Sequence, residues 1–118
     1  MTAADARWAA RESNEFERLA RVEDLPPGTI IAAVRAGGER ICLYNCDGRI
    51  GAMSDTCTHS AFPMSEGTIE SDGTVQCSWH GAKFDCVSGA VRQGPALDPI
   101  TIYDVRVREG DVWVGPPL

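Results

Sequence analysis

From Phe16 onward, apolar and polar residues alternate in short runs, and each run stops at a turn-forming pair. Phe16-Glu17-Arg18-Leu19-Ala20 reads as a first strand, closed by the turn chemistry of Asp24-Leu25-Pro26-Pro27-Gly28. Thr29 to Arg35 and Arg40 to Asn45 are β-rich runs joined through Gly37-Gly38, a hairpin signal. Asp47-Gly48 marks a tight turn before Arg49 to Met53. Asp72-Gly73 marks another, between Gly67 to Glu70 and Thr74 to Gln76. Ile100 to Arg108 alternates, but the phase of Ile100 and Ile102 slips against Val105 and Val107 near Asp104, where a bulge is expected. Gly110-Asp111 then turns into Val112 to Val114. Many short strands at this spacing predict an all-β fold of antiparallel sheets, a sandwich or a partly open barrel.

At 118 residues the chain suits one domain with one core. Residues 1–15 contain Ala, Arg, Glu and a lone Trp8 but lack the strand pattern. An isolated helix that short is marginal in water. They are expected to form a flexible extension ahead of a single domain at 16–118.

Two stretches between the strands carry candidate chemistry: Cys57-Thr58-His59 and Cys77-Ser78-Trp79-His80. The chain has two histidines, and each lies within three residues of a cysteine. The pattern is C-x-H, seventeen residues, then C-x-x-H. Isolated cysteines and histidines are usually small buried hydrophobes and ordinary polar residues; that reading makes both pairings a coincidence. Thiolate and imidazole together suit zinc, copper or iron–sulfur clusters. A structural Cys2His2 zinc site is one possibility, although zinc fingers normally supply a cysteine pair and then a histidine pair. A 2Fe-2S cluster in which two histidines replace two cysteines on one iron is another, and mixed loops suit it.

With its neighbours, the motif resembles the Rieske ferredoxins of bacterial aromatic-ring-hydroxylating dioxygenase systems. The resemblance rests on Cys57-Thr58-His59, then Cys77-Ser78-Trp79-His80-Gly81-Ala82-Lys83-Phe84-Asp85, then Ser88-Gly89 and Gly94-Pro95-Ala96. It implies a Rieske iron–sulfur fold with a cluster-binding subdomain at one tip, at about residues 55–87. It implies one 2Fe-2S cluster, with Cys57 and Cys77 on one iron and His59 and His80 on the other, the imidazole edges facing solvent. The implied role is one-electron transfer from a flavin-dependent ferredoxin reductase to a terminal oxygenase, not catalysis. Alternatives are the small Rieske subunit of another oxidoreductase such as a nitrite reductase, the Rieske domain of an oxygenase, for which the chain lacks a catalytic iron domain, and a structural zinc module.

High-potential relatives link the two loops by a disulfide and place Ser and Tyr hydroxyls near the cluster. The matching positions here are Phe62 and Trp79, then Ala82 and Phe84. Hydrogen bonds to sulfur raise the potential, so their loss implies the low end of the Rieske range, near about −150 mV. Ala61, Phe62, Pro63, Met64, Trp79 and Pro95 form an apolar set shared between shielding the cluster and docking, with Trp79 the best docking candidate. Lys83 reads as a surface charge.

Charge and the remaining cysteines narrow the setting. A formal net charge of −6 excludes nucleic acid as a partner and favours one with a basic docking patch. Cys42, Cys46 and Cys86 are left over, an odd remainder that argues against a disulfide framework. Cys42 and Cys46 lie four apart in an apparent strand, up to about 13 Å between Cα atoms and too far to bridge. They read as small buried hydrophobes. No apolar run approaches a membrane span and the N-terminus has no signal core, so a cytoplasmic monomer is expected.

Overall fold

The structure, a computed structural model, describes residues 15–58, 62–78, 81–94 and 98–118. The expected extension lies outside these except for Glu15. Among the described residues, ten strands form two antiparallel sheets: β1 (Glu17–Arg21), β2 (Ile30–Val34), β3 (Arg40–Cys46), β4 (Arg49–Ser54), β5 (Thr68–Ile69), β6 (Thr74–Gln76), β7 (Lys83–Asp85), β8 (Val91–Gln93), β9 (Ile102–Arg108) and β10 (Asp111–Pro117). The larger sheet has six strands in the order β1-β10-β9-β4-β3-β2, and the smaller is a four-stranded meander, β5-β6-β7-β8. The all-β expectation is met.

Turn chemistry sets the hairpins. Asp47-Gly48 and Glu109-Gly110 both have positive φ at their two central residues (54° and 94°, 52° and 81°). Their twist matches that of the flanking strands, as a two-residue hairpin requires. The second turn therefore sits one residue earlier than the expected Gly110-Asp111. The irregularity foreseen near Asp104 is present, since Val114 pairs with Val105 but Pro117 with Tyr103. The extra residue belongs to β10, at Gly115-Pro116, because a proline cannot donate to the ladder.

The larger sheet curls towards closure. The Arg35 guanidinium donates to the Gly115 carbonyl (2.7 Å) and the Val114 carbonyl (3.3 Å), and the Ala36 N–H donates to the Glu17 carboxylate (2.9 Å). Inside the curl lie Leu25, Ile41, Leu43, Ala52, Tyr103, Val112 and Val114. Full burial of one such side chain contributes about 1.5–3 kcal/mol. On the other face of β3, Cys42, Tyr44 and Cys46 share a core with Val75 and Phe84 from the smaller sheet and with Ala82 just before β7. β3 is thus buried on both faces, which is why it reads as a near-continuous apolar run.

All three surplus cysteines belong to this second core, buried and free of disulfides. Burial, and then the Asp55 carboxylate, push the Cys42 thiol up; burial, and then a hydrogen bond with Cys46, push Cys86 up to about 12. Both therefore stay neutral thiols near pH 7 and act as small apolar residues. The Tyr44 hydroxyl donates to the Cys86 carbonyl (2.7 Å), pinning the smaller sheet to the larger.

Candidate metal centre

The two cysteine–histidine stretches lie in segments of equal length that are closed in the same way at their described ends. Thr56 pairs with Pro63 across the first, and Gln76 with Lys83 across the second. Within each, the cysteine N–H donates to the carbonyl five residues on, Cys57 to Phe62 (3.0 Å) and Cys77 to Ala82 (2.8 Å). A cysteine therefore heads each loop at the end of a paired segment. Cys57 is 1% exposed and Cys77 is fully buried, both in the core between the sheets with Phe84 and Ala82. His59, His80 and Trp79 lie outside the described residues, as do Ala61 and Pro95; the expected solvent-facing imidazoles are among the positions not described.

Several anchors that the sequence did not advertise hold the first loop. Asp55 is buried two residues before Cys57. Its Oδ1 accepts from the Ser65 N–H (2.7 Å) and its Oδ2 from Arg40 Nη2 (2.9 Å) and Nε (3.2 Å). Its backbone joins both sides as well: its N–H donates to the Arg40 carbonyl (3.2 Å) and its carbonyl accepts from Met64 (2.7 Å). One residue thus ties the start of the loop, its return segment and β3 together. Beyond Cys57, the Thr58 hydroxyl donates to the Asp98 carbonyl (2.8 Å). The only sequence signal was an acidic residue just before a ligand motif. Its partner Arg40 is fifteen residues away and nothing local names it.

Of the apolar set around the loops, Met64 is fully buried and so is not a docking residue, and Phe62 is partly buried against the core. Lys83 pairs with Asp72 (3.3 Å). No group of three or more possible metal-binding side chains is found among the described residues.

Whether these residues suit an iron–sulfur cluster is tested by the sulfur half of the set. Two disulfide-free thiols sit in one apolar core, each fixed through its own backbone at the head of a matched loop. Buried thiols held by the fold in one core, with solvent excluded, fit a soft metal cluster.

The comparisons agree. The family model of the Rieske [2Fe-2S] domain matches residues 15–104. The chain belongs to the Rieske family. Its Rieske domain is 33% identical to Ferredoxin CarAc of Metapseudomonas resinovorans, over 82% of this chain and 90% of that one. It is 32% identical to the biphenyl dioxygenase ferredoxin subunit of Pseudomonas sp. (strain KKS102), over 84% and 90%. Among solved structures, it superposes with a TM-score of 0.79 on a chain of the complex of reduced oxygenase and oxidized ferredoxin in carbazole 1,9a-dioxygenase, at 31% identity, covering 86% of this chain and 93% of that one. The Rieske family carries one 2Fe-2S cluster, and the named ferredoxins are electron-transfer components rather than catalysts. The chain is accordingly a Rieske ferredoxin with an electron-carrying role. No helix among the described residues is long and apolar enough to cross a membrane.

Proposed function

We propose that this ferredoxin takes single electrons from a flavin-dependent reductase and delivers them to a terminal aromatic-ring-hydroxylating oxygenase. In this reading Cys57 and Cys77 hold one iron, and His59 and His80 the other. The observation that carries it is the matched pair of closed loops, each heading with a cysteine buried in the same core. When bound, the cluster supplies reversible one-electron chemistry. The protein's own residues set the loop positions, exclude water from the sulfur side and contribute the surrounding charge. A net charge of −6 favours a partner with a basic docking patch, and that attraction weakens with salt. We place the protein in the cytoplasm as a monomer, with Trp79 at the docking surface.

The test is reconstitution. Purified ferredoxin, reductase, oxygenase and NADH are combined, and cluster reduction is followed optically alongside product formation. Turnover that requires the ferredoxin and slows with added salt supports the reading. A ferredoxin that the reductase reduces but that no oxygenase of this class reoxidises would redirect it to another acceptor.

Phe84 and Ala82 are both fully buried in the core that holds the cysteines. Phe84→Tyr is expected to raise the midpoint potential by on the order of 40 mV, the one-electron equivalent of a hydrogen bond worth about 1 kcal/mol. Protein-film voltammetry measures it, and an unchanged or lower value would count against a hydroxyl at this position tuning the cluster.

A further inference from the structure

Behind the second loop, two side-chain amides converge on one backbone carbonyl. Gln76, Lys83 and Gln93 face one another across β6, β7 and β8. Side chains opposite one another share a face of the sheet. These three therefore occupy the outer face, and Val75, Phe84 and Val91 the core face. Lys83, in the middle, turns to Asp72. The outer two reach back towards the loop. Gln76 Nε2 donates to the Gly81 carbonyl at 3.1 Å, and Gln93 Nε2 donates to the same oxygen at 2.8 Å. A carbonyl accepts only, so each amide must present its N–H side. Gly81 follows His80 in sequence, and the next residue, Ala82, closes the loop onto the Cys77 N–H.

Gly81 itself is built for this arrangement. Its φ is +78°, and a Cβ there would lie 3.1 Å from Gln76 Nε2. A larger residue would be strained and would press on the clamp. Both lone pairs of the carbonyl are thus used, and the Gly81–Ala82 peptide is held from two strands.

We propose that Gln76 and Gln93 are positioning residues that set the second cluster loop and, through the carbonyl they neutralise, raise the reduction potential of the centre. The inference rests on the assignment of Cys77 and His80 as ligands. Reduction adds a negative charge. Two N–H dipoles with their positive ends at the Gly81 oxygen offset the carbonyl's own negative end. Without them the carbonyl's negative end is left uncompensated one residue from His80, and reduction is disfavoured.

The experiment compares Gln93→Met and the Gln76→Met/Gln93→Met pair with the parent holoprotein; Met keeps length and neutrality but removes the donor. Midpoint potential, the electron paramagnetic resonance spectrum of the reduced protein and the unfolding temperature are recorded. The double variant is expected to shift the one-electron equilibrium with a reference carrier about threefold to tenfold towards the oxidised protein, ~30 to ~59 mV more negative. The single variant should shift it less, and the g-values should change. A merely structural brace would lower the unfolding temperature and leave potential and g-values alone; that pattern overturns the proposal. If the double variant does not retain its cluster, the single variant decides by the same two readouts. Failure of the ligand assignment itself shows separately, as retention of a normal spectrum in Cys77→Ala.

Discussion

Cys57→Ala and Cys77→Ala are each expected to be isolated colourless, without acid-labile sulfide and without a Rieske spectrum after reduction. Cys46→Ala and Cys86→Ala should keep all three. The contrast is sharp because the five cysteines share one core and differ only in how they are held. Cys57 and Cys77 head closed loops, whereas Cys46 ends β3 and Cys86 follows β7 in the core between the two sheets. Burial keeps the Cys86 thiol neutral near pH 7, so its sulfur is spent on packing. Replacing a packing cysteine removes little volume and should cost about 1–2 kcal/mol. Removing a ligand also removes the cluster's contribution to folding, because metal binding and folding share one free energy. His59→Ala and His80→Ala should behave like the ligand cysteines. Visible absorption and sulfide assay settle the matter, and a coloured Cys77→Ala would dismantle the ligand set.

Gly67→Ala is expected to lower the unfolding free energy by about 1–3 kcal/mol and to reduce cluster occupancy. The reason is a close approach, not a turn: φ at Gly67 is −86°, which any residue adopts. Its Cα faces the backbone of Gln76, the residue before Cys77. An added Cβ would fall on the Gln76 carbonyl oxygen and within 3.1 Å of the Met64 oxygen. Neither neighbour is a side chain that can swing aside. Relief must come from parting the return of the first loop from the base of the second. Chemical denaturation and iron content per protein check both halves. Gly28→Ala is not a substitute control, since its strain arises from a φ of +86° with open space around it. A Gly67→Ala protein with parental stability and full iron would show that the loops do not depend on this contact.

The longer strands were legible because their burial is one- or two-sided over enough residues to leave a pattern. β3 reads clearly since Ile41 and Leu43 serve one core while Cys42 and Tyr44 serve the other. β7 and β8 were not anticipated. Lys83-Phe84-Asp85 and Val91-Arg92-Gln93 are three residues each, too short for alternation to stand out from loop composition. They become strands only because β6 offers its edge to β7, and β7 to β8. β10 extends to Pro117, beyond the expected Val114, because the bulge at Gly115-Pro116 lets pairing resume.

At the proposed site, the candidate donor residues stand out in the sequence and the residues that brace their loops do not. Cysteine and histidine at these spacings name their chemistry through atom type alone, whatever surrounds them. Asp55, Gln76 and Gln93 are common polar residues whose roles depend on where a distant partner arrives. Asp55 meets Arg40 across fifteen positions, and Gln93 meets Gly81 across twelve. The sequence by itself therefore determined an all-β chain, its principal turns and the elements able to bind a soft metal, all of which follow from local backbone preference and side-chain chemistry. Only the tertiary structure decided that the two loops share one closure, that a single carboxylate ties the first to β3, and that two amides clamp the second. Those features are hydrogen bonds between residues far apart in the chain, and such bonds have no partner until the sheets have assembled.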